Sequence, residues 1–181
     1  MPEIETARLR LRMFTSDDLD DLARLFSDVE VMTYLGVEAG KTMARDETAE
    51  VLDSIINGWR KRSFGRWAVI HKEIDQFIGL CGLKMLEGEP ELIYVLEKAY
   101  WGQGLATEAA RATLRYAFEE AKLERIVAVT RRDNVASQRV MKSIGMKFER
   151  EGRYYDVEGL GYAISRAEFQ PNNSFYILHR S

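Results

Sequence analysis

Apolar and basic residues alternate from Leu9 to Phe14, the two-residue period of a half-buried strand. Thr15 and Ser16 then offer capping oxygens, and Asp17 and Asp18 stand where a first helical turn favours carboxylates. Leu19, Leu22, Ala23, Phe26 and Val29 recur at helical spacing, which predicts a first helix over roughly Asp17 to Val31. Gly36 to Gly40 reads as a loop. Thr42 is positioned to cap a second helix whose stripe is Thr48, Val51, Leu52, Ile55, Ile56 and Trp59.

Trp67 to Ile70 and Phe77 to Leu83 read as two strands joined by the polar turn Lys72 to Asp75, a hairpin pattern. Gly88-Glu89-Pro90 marks a further turn before the apolar run Leu92 to Leu96. A long helical pattern covers Thr107 to Ala121, and Arg125 to Val129 is a short β-branched run suited to a buried parallel strand. Asn134 is placed to cap a helix from Val135 to about Ile144, which Gly145 ends. Lys147 to Arg150 and Leu160 to Ile164 predict two more strands, and Phe175 to Leu178 an edge strand in a short tail from Pro171. The order β-α-α-β-β-β-α-β-α-β-β predicts one α/β domain over residues 1–181, a mixed sheet with helices on both faces.

Between the run ending at Leu96 and the helix from Thr107 lies Tyr100-Trp101-Gly102-Gln103-Gly104-Leu105-Ala106. Two glycines at a strand-to-helix junction let backbone approach a ligand closely. The first N–H groups of a helix lack intrahelical partners, and the helix dipole favours negative charge there. The stretch therefore reads as an anion cradle, most simply for phosphate. It lacks the full Gly-x-Gly-x-x-Gly spacing, and no repeated βαβ units surround it, which excludes a Rossmann dinucleotide enzyme.

Composition narrows the classes further. The 181 residues carry a net charge of −3, which argues against a nucleic-acid-binding domain. Cys81 is the only cysteine, so no disulfide framework forms, and His71 and His179 make no recognisable metal motif; no metal is expected. The first residues are neither basic nor apolar, and no apolar run approaches a membrane span. A cytoplasmic protein without a membrane partner is the expectation.

Taken together, these phrases resemble the GCN5-related N-acetyltransferase (GNAT) superfamily, nearest its ribosomal-protein-alanine N-acetyltransferase branch. Thr6 to Arg12 resembles that branch's opening strand, and Phe77-Ile78-Gly79-Leu80-Cys81-Gly82-Leu83 its Ile-Gly-x-x-Gly-Leu strand. Tyr94-Val95-Leu96 with Tyr100 to Ala109 is similar to its cofactor motif, and Asn134 to Met146 to its late helix. The match runs in order to about Phe169. Trp101 stands where the general pattern has Arg or Gln, Met146 where an aromatic is usual, and Ile93 where many relatives have Gly.

The resemblance implies a mostly antiparallel sheet with one splayed parallel pair, here Leu92–Leu96 and Arg125–Val129. It implies acetyl-CoA as donor, CoA as product and an amine as acceptor. The pyrophosphate would meet backbone N–H groups of Gln103, Gly104, Leu105, Ala106 and Thr107, with Gly102 and Gly104 leaving room. The backbone of Val95 and Leu96 would pair with the pantetheine arm. Asn134 would be both cap and ligand to that arm, and Ser137 the branch's proton donor to the departing thiolate; Met141 stands where other branches carry a tyrosine for that task. Glu91, just ahead of the central strand, is the carboxylate to test as general base. Tyr94, Tyr154 and Tyr155 either line an acceptor pocket or belong to the core. Arg131-Arg132 either meets the adenosine 3′-phosphate or solvates a strand end. Cys81, mid-strand in an apolar run, reads as inert, which favours direct amine attack over an acyl-enzyme. A protein N-terminus, a small-molecule amine (aminoglycoside, polyamine or amino acid) and a non-catalytic CoA-binding role all fit, and a homodimer through the C-terminal strands is compatible.

Overall fold

The computed structural model describes residues 2–35 and 38–180, so part of the loop expected at Gly36 to Gly40 lies outside the described residues. The strands are β1 (Pro2–Thr6), β2 (Leu9–Met13), β3 (Arg66–His71), β4 (Gln76–Leu86), β5 (Glu89–Leu96), β6 (Arg125–Thr130), β7 (Lys147–Tyr154), β8 (Val157–Ser165) and β9 (Tyr176–Arg180). The helices are α1 (Leu19–Phe26), α2 (Val29–Met32), α3 (Arg45–Lys61), α4 (Leu105–Glu119) and α5 (Val135–Ser143). Among the described residues the strands form one sheet in the order β7-β8-β6-β5-β4-β3-β2-β1-β9. Every neighbouring pair is antiparallel except β5 and β6.

Apolar alternation in the strands feeds two cores, one on each face. Leu9, Leu11, Trp67, Val69, Cys81, Leu92 and Leu96 pack beneath α4 and α5 with Ala109, Ala110, Leu114 and Met141. Ala68, Ile70, Leu80 and Val95 pack beneath α1 and α3 with Leu22, Leu25, Leu52 and Ile55. Each fully buried Leu or Ile contributes roughly 1.5–3 kcal/mol by leaving water. The small residues Ala109, Ala110, Ala112 and Ala117 let α4 lie close to the sheet.

Several expected boundaries are corrected. Pro2–Thr6 is a strand, with Ile4 fully buried, paired to β2 on one side and β9 on the other. The first helix does not run from Asp17 to Val31: a 3-10 turn (Ser16–Asp18) precedes α1, and Asp28 restarts the chain as α2 by accepting from the Glu30 and Val31 N–H groups. Thr42 does not cap the second helix. Ala44 holds that position, and the Glu47 carboxylate reaches back to the Ala44 N–H at 2.8 Å. α4 begins at Leu105, two residues before Thr107, because Gly104 takes the N-cap position.

The sheet is interrupted between β5 and β6. β5 and β6 pair at Glu91↔Val127. Beyond that bridge β5 runs on to Leu96 held by β4, while β6 runs to Thr130 held by β8. The parallel pair therefore splays, leaving a gap flanked on one face by α4 and α5 and on the other by α1 and α3.

Candidate active site

The glycine loop starts where β5 ends. A 3-10 turn (Lys98–Tyr100) lifts the chain off the sheet, and the Trp101 indole N–H donates to the Leu96 carbonyl at 2.8 Å. Trp101 thus ties the loop to the end of β5. Gly102 and Gly104 have φ of 73° and 77°, which only glycine adopts without strain. A Cβ at Gly102 would meet nothing within 4 Å, and one at Gly104 only the Arg8 guanidinium at 3.6 Å. The space over both glycines is open to a ligand. The first helical bond of α4 runs from the Glu108 N–H to the Gly104 carbonyl at 3.0 Å, so the N–H groups of Leu105, Ala106 and Thr107 precede it and lack intrahelical partners.

The loop is braced from the far end of the chain. The Arg8 guanidinium donates to the Gln103 carbonyl at 2.8 Å and to Glu108 Oε2 at 2.7 Å. Glu108 Oε1 accepts from the Arg8 N–H at 2.8 Å and from the Thr6 hydroxyl at 2.7 Å. Burial pushes the Glu108 carboxyl up, but the bonds from Thr6 and Arg8 outweigh it and hold it below the usual range. A cavity of about 520 Å³ runs from the cradle along α4, lined in part by Arg8, Gly104, Thr107, Arg111, Gly145 and Phe175.

At the splayed edge, backbone direction alternates. The Glu97 N–H donates to the Ile78 carbonyl of β4 at 2.8 Å, and a Cβ on Gly79 would stand 2.1 Å from the Val95 carbonyl. Val95 therefore turns its carbonyl to β4, and Leu96 and Tyr94 present theirs to the gap. Of the two residues whose backbone is expected to pair with the arm, Leu96 therefore faces the gap and Val95 faces β4, with Tyr94 on the gap side beside Leu96.

Side chains of β5 sort by the same alternation. Leu92, Tyr94 and Leu96 belong to the α4/α5 face, and Ile93 and Val95 to the α1/α3 face, with Glu91 in register with the latter pair. On the first face the Asn134 side chain caps α5 by accepting from the Ser137 N–H at 3.1 Å. The Ser137 hydroxyl lies 2.8 Å from the Tyr94 hydroxyl, which also reaches the Ser137 carbonyl at 3.1 Å. On the second face Glu91 is buried, 4% exposed, accepts from the Tyr155 hydroxyl and lies 3.5 Å from the Lys84 ammonium. Burial raises the Glu91 carboxyl above its usual range although Lys84 and Tyr155 pull it down. Glu91 and Ser137 are thus set on opposite faces of the gap.

Other candidates separate clearly. Tyr155 faces the site, whereas Tyr154 is buried against Gly152, Gly159 and Gly161. Cys81 is fully buried beside Thr113, and burial pushes its thiol up to about 12, so thiolate chemistry is closed to it. Arg132 pairs with Glu151 and Arg131 lies 3.8 Å from Asp133. Among the described residues there is no cluster of three or more His, Cys, Asp or Glu placed for a metal, and no helix is long and apolar enough to cross a membrane. Reading the sequence alone did not single out Arg8, Lys84 or Arg66 for the site. Arg8 sits in the quoted Thr6 to Arg12 phrase, the one available signal.

The chain is similar in sequence and fold to known proteins. A family model described as acetyltransferase (GNAT) domain matches residues 8–147. An uncharacterized N-acetyltransferase, p20, of Bacillus licheniformis is 32% identical over 163 residues, covering 87% of this chain and 88% of its own. The crystal structure of a GNAT-family acetyltransferase from Bacillus anthracis superposes with a TM-score of 0.78 at 28% identity, over 92% of this chain and 99% of that one. A ribosomal L7/L12 alpha-N-protein acetyltransferase in complex with coenzyme A shares the fold, with a TM-score of 0.75 at 16% identity over 88% and 95% of the two chains. With its cradle, splayed strands and matching family model, this chain belongs to the GNAT acetyltransferase family.

Proposed function

We propose that this chain transfers acetyl from acetyl-CoA directly to a primary amine that enters on the α1/α3 face. The observation that carries the reading is the gap itself. A phosphate-ready helix start ends one of its strands, a hydroxyl pair lies on one face, and a buried carboxylate lies on the other.

The residues present fit the donor. Backbone N–H groups of Gln103 to Thr107 hold the pyrophosphate, with Gly102 and Gly104 clearing the approach. Arg111, lining the adjoining cavity, supplies positive charge toward the nucleotide end, while Arg8 is paired with Glu108 and braces the loop. Leu96 and Tyr94 offer backbone to the pantetheine amides as an edge strand does. Asn134 spends its side-chain oxygen on the cap and keeps its amide N–H donors for the arm. Bound acetyl-CoA supplies the activated acetyl thioester. Glu91 takes the proton from the incoming ammonium, directly or through one water, and its raised proton affinity suits a base working near neutrality. Ser137 gives a proton toward the departing sulfur, with the Tyr94 hydroxyl behind it.

Incubation with acetyl-CoA and a panel of amines, including peptides with free N-termini, tests the reading by mass detection of the acetylated product. Acetylation that falls in Ser137→Ala supports it. Tight acetyl-CoA binding without product from any amine would favour a CoA-binding module instead.

A further inference from the structure

The acceptor face carries a charge imbalance. Arg66 at the start of β3 lies partly buried, and strand register (Arg66 opposite Gly82, Lys84 opposite Glu91) puts its side chain on the same face as Lys84 and Glu91, close enough for the Glu91 charge to act on its guanidinium. Lys84 is held between Glu91 at 3.5 Å and the face of the Tyr155 ring at 4.3 Å. Arg66 and Lys84 also act on each other as like charges. Lys84 alone lies within ion-pair distance of Glu91, and it loses that partner when Glu91 takes up a proton. Among the described residues no carboxylate forms an ion pair or hydrogen bond with the Arg66 guanidinium, whose residue is held through its backbone, the Arg66 carbonyl accepting from Trp59 and β3 pairing with β4 at Gly82.

Arg66 faces an open cavity of about 380 Å³ between the sheet and α3, lined also by Met43, Glu47, Glu50, Val51 and Ser54. Glu47 accepts from the Ala44 N–H and Glu50 is exposed at the rim, and neither forms an ion pair with Arg66. A partly desolvated guanidinium with free N–H donors beside an open cavity is a carboxylate receptor: its planar fork matches the two oxygens.

We infer that the acceptor is an amine bearing its own carboxylate, bound by Arg66 with Lys84 beside it, and that polycations such as aminoglycosides and polyamines are disfavoured. The inference rests on the acceptor entering at Glu91. The carboxylate belongs either to a free amino acid or to an acidic side chain beside a peptide N-terminus, and the one unpaired guanidinium serves both.

The experiment uses pairs that differ only in the carboxylate. One arm compares amino acids with their decarboxylated amines; the other compares peptides beginning Asp or Glu with those beginning Asn or Gln. Each is titrated by calorimetry into the protein saturated with desulfo-CoA, and each is assayed for acetylation. The carboxylate member is expected to bind at least about tenfold tighter in one arm, the size of a lost charge-assisted fork. Arg66→Gln should bring that ratio to about one, and Arg66→Lys should retain part of it. Melting temperature and acetyl-CoA affinity report whether each variant is folded. Equal binding within every pair overturns the inference, as does tighter binding of spermidine than of the amino acids. Discrimination in binding without acetyl transfer supports the carboxylate class while contradicting the transferase reading. Transfer without discrimination does the reverse.

Discussion

Ser137 is a weak acid alone, and what the structure adds is its neighbour. Under the proposed mechanism the Tyr94 hydroxyl, 2.8 Å away, turns its proton from the Ser137 carbonyl to Ser137 Oγ and replaces the proton that leaves. Burial raises the Tyr94 phenol, so it stays protonated at neutral pH and remains a donor. Ser137→Ala and Tyr94→Phe are each expected to lower kcat about 10- to 100-fold with the acetyl-CoA KM little changed, and the double variant to be scarcely worse than either single, the signature of one relay. Steady-state kinetics of the four proteins checks this. For Glu91 the sign follows from burial. As the proposed base it works deprotonated, and its carboxyl is raised, so the acid limb of kcat/KM is expected above the ordinary carboxylate range; Glu91→Gln should cut the rate by about 10²- to 10⁴-fold and abolish that limb. The pH profile of kcat/KM decides it. The Asn134 cap and the glycine turn could be read from local sequence because their neighbours in the chain define them, whereas Ser137 is singled out only by the family resemblance. In the sequence Tyr155 is an open candidate, and Arg66 and Lys84 are not singled out, since the three come from the β7–β8 turn, β3 and β4 and meet only in the folded sheet.

Among the elements, the loop between β5 and α4 owes its shape to contacts both near and far. Trp101 ties it to β5 locally, while Arg8 ties it to β1–β2 across about a hundred residues of chain. The long helices and central strands were legible from period alone. Their ends were less so, because a cap depends on which side chain reaches which N–H: Glu47 displaces Thr42, and Asp28 splits one apolar stripe into two helices. Asp18 shows the energetic weight of such contacts. Its buried carboxylate accepts from Arg12 at 2.7 and 2.9 Å and from the Thr15 N–H at 2.8 Å. Burial raises this carboxyl, but the Arg12 and Thr15 bonds win and the net shift is downward. The stabilisation is therefore present above the unfolded value near 3.9 and is lost as pH falls through the lower folded value. Asp18→Asn should cost roughly 1–3 kcal/mol at pH 7 and progressively less as the pH falls below about 4, read by urea unfolding across that range.

For the molecule as a whole, the proposed mechanism puts donor and acceptor on opposite faces of the sheet. The glycine loop, Asn134, Ser137 and Tyr94 lie toward the α4/α5 face and Glu91, Tyr155, Lys84 and Arg66 toward the other, with the splay between β5 and β6 joining them. Family resemblance in the sequence carried the sheet class and the parallel pair. It could not show that β1 and β9 close the far edge, because Pro2–Thr6 is too short to display a period and its partner lies at the other end of the chain. The most direct measurement is acetyl-CoA binding by calorimetry to the wild type and to Gly104→Val, with melting temperatures alongside. The account expects saturable binding to the wild type and an affinity at least about tenfold weaker in a still-folded variant, because a side chain there strains the positive φ and fills the anion's approach. Unchanged affinity in folded Gly104→Val would contradict it.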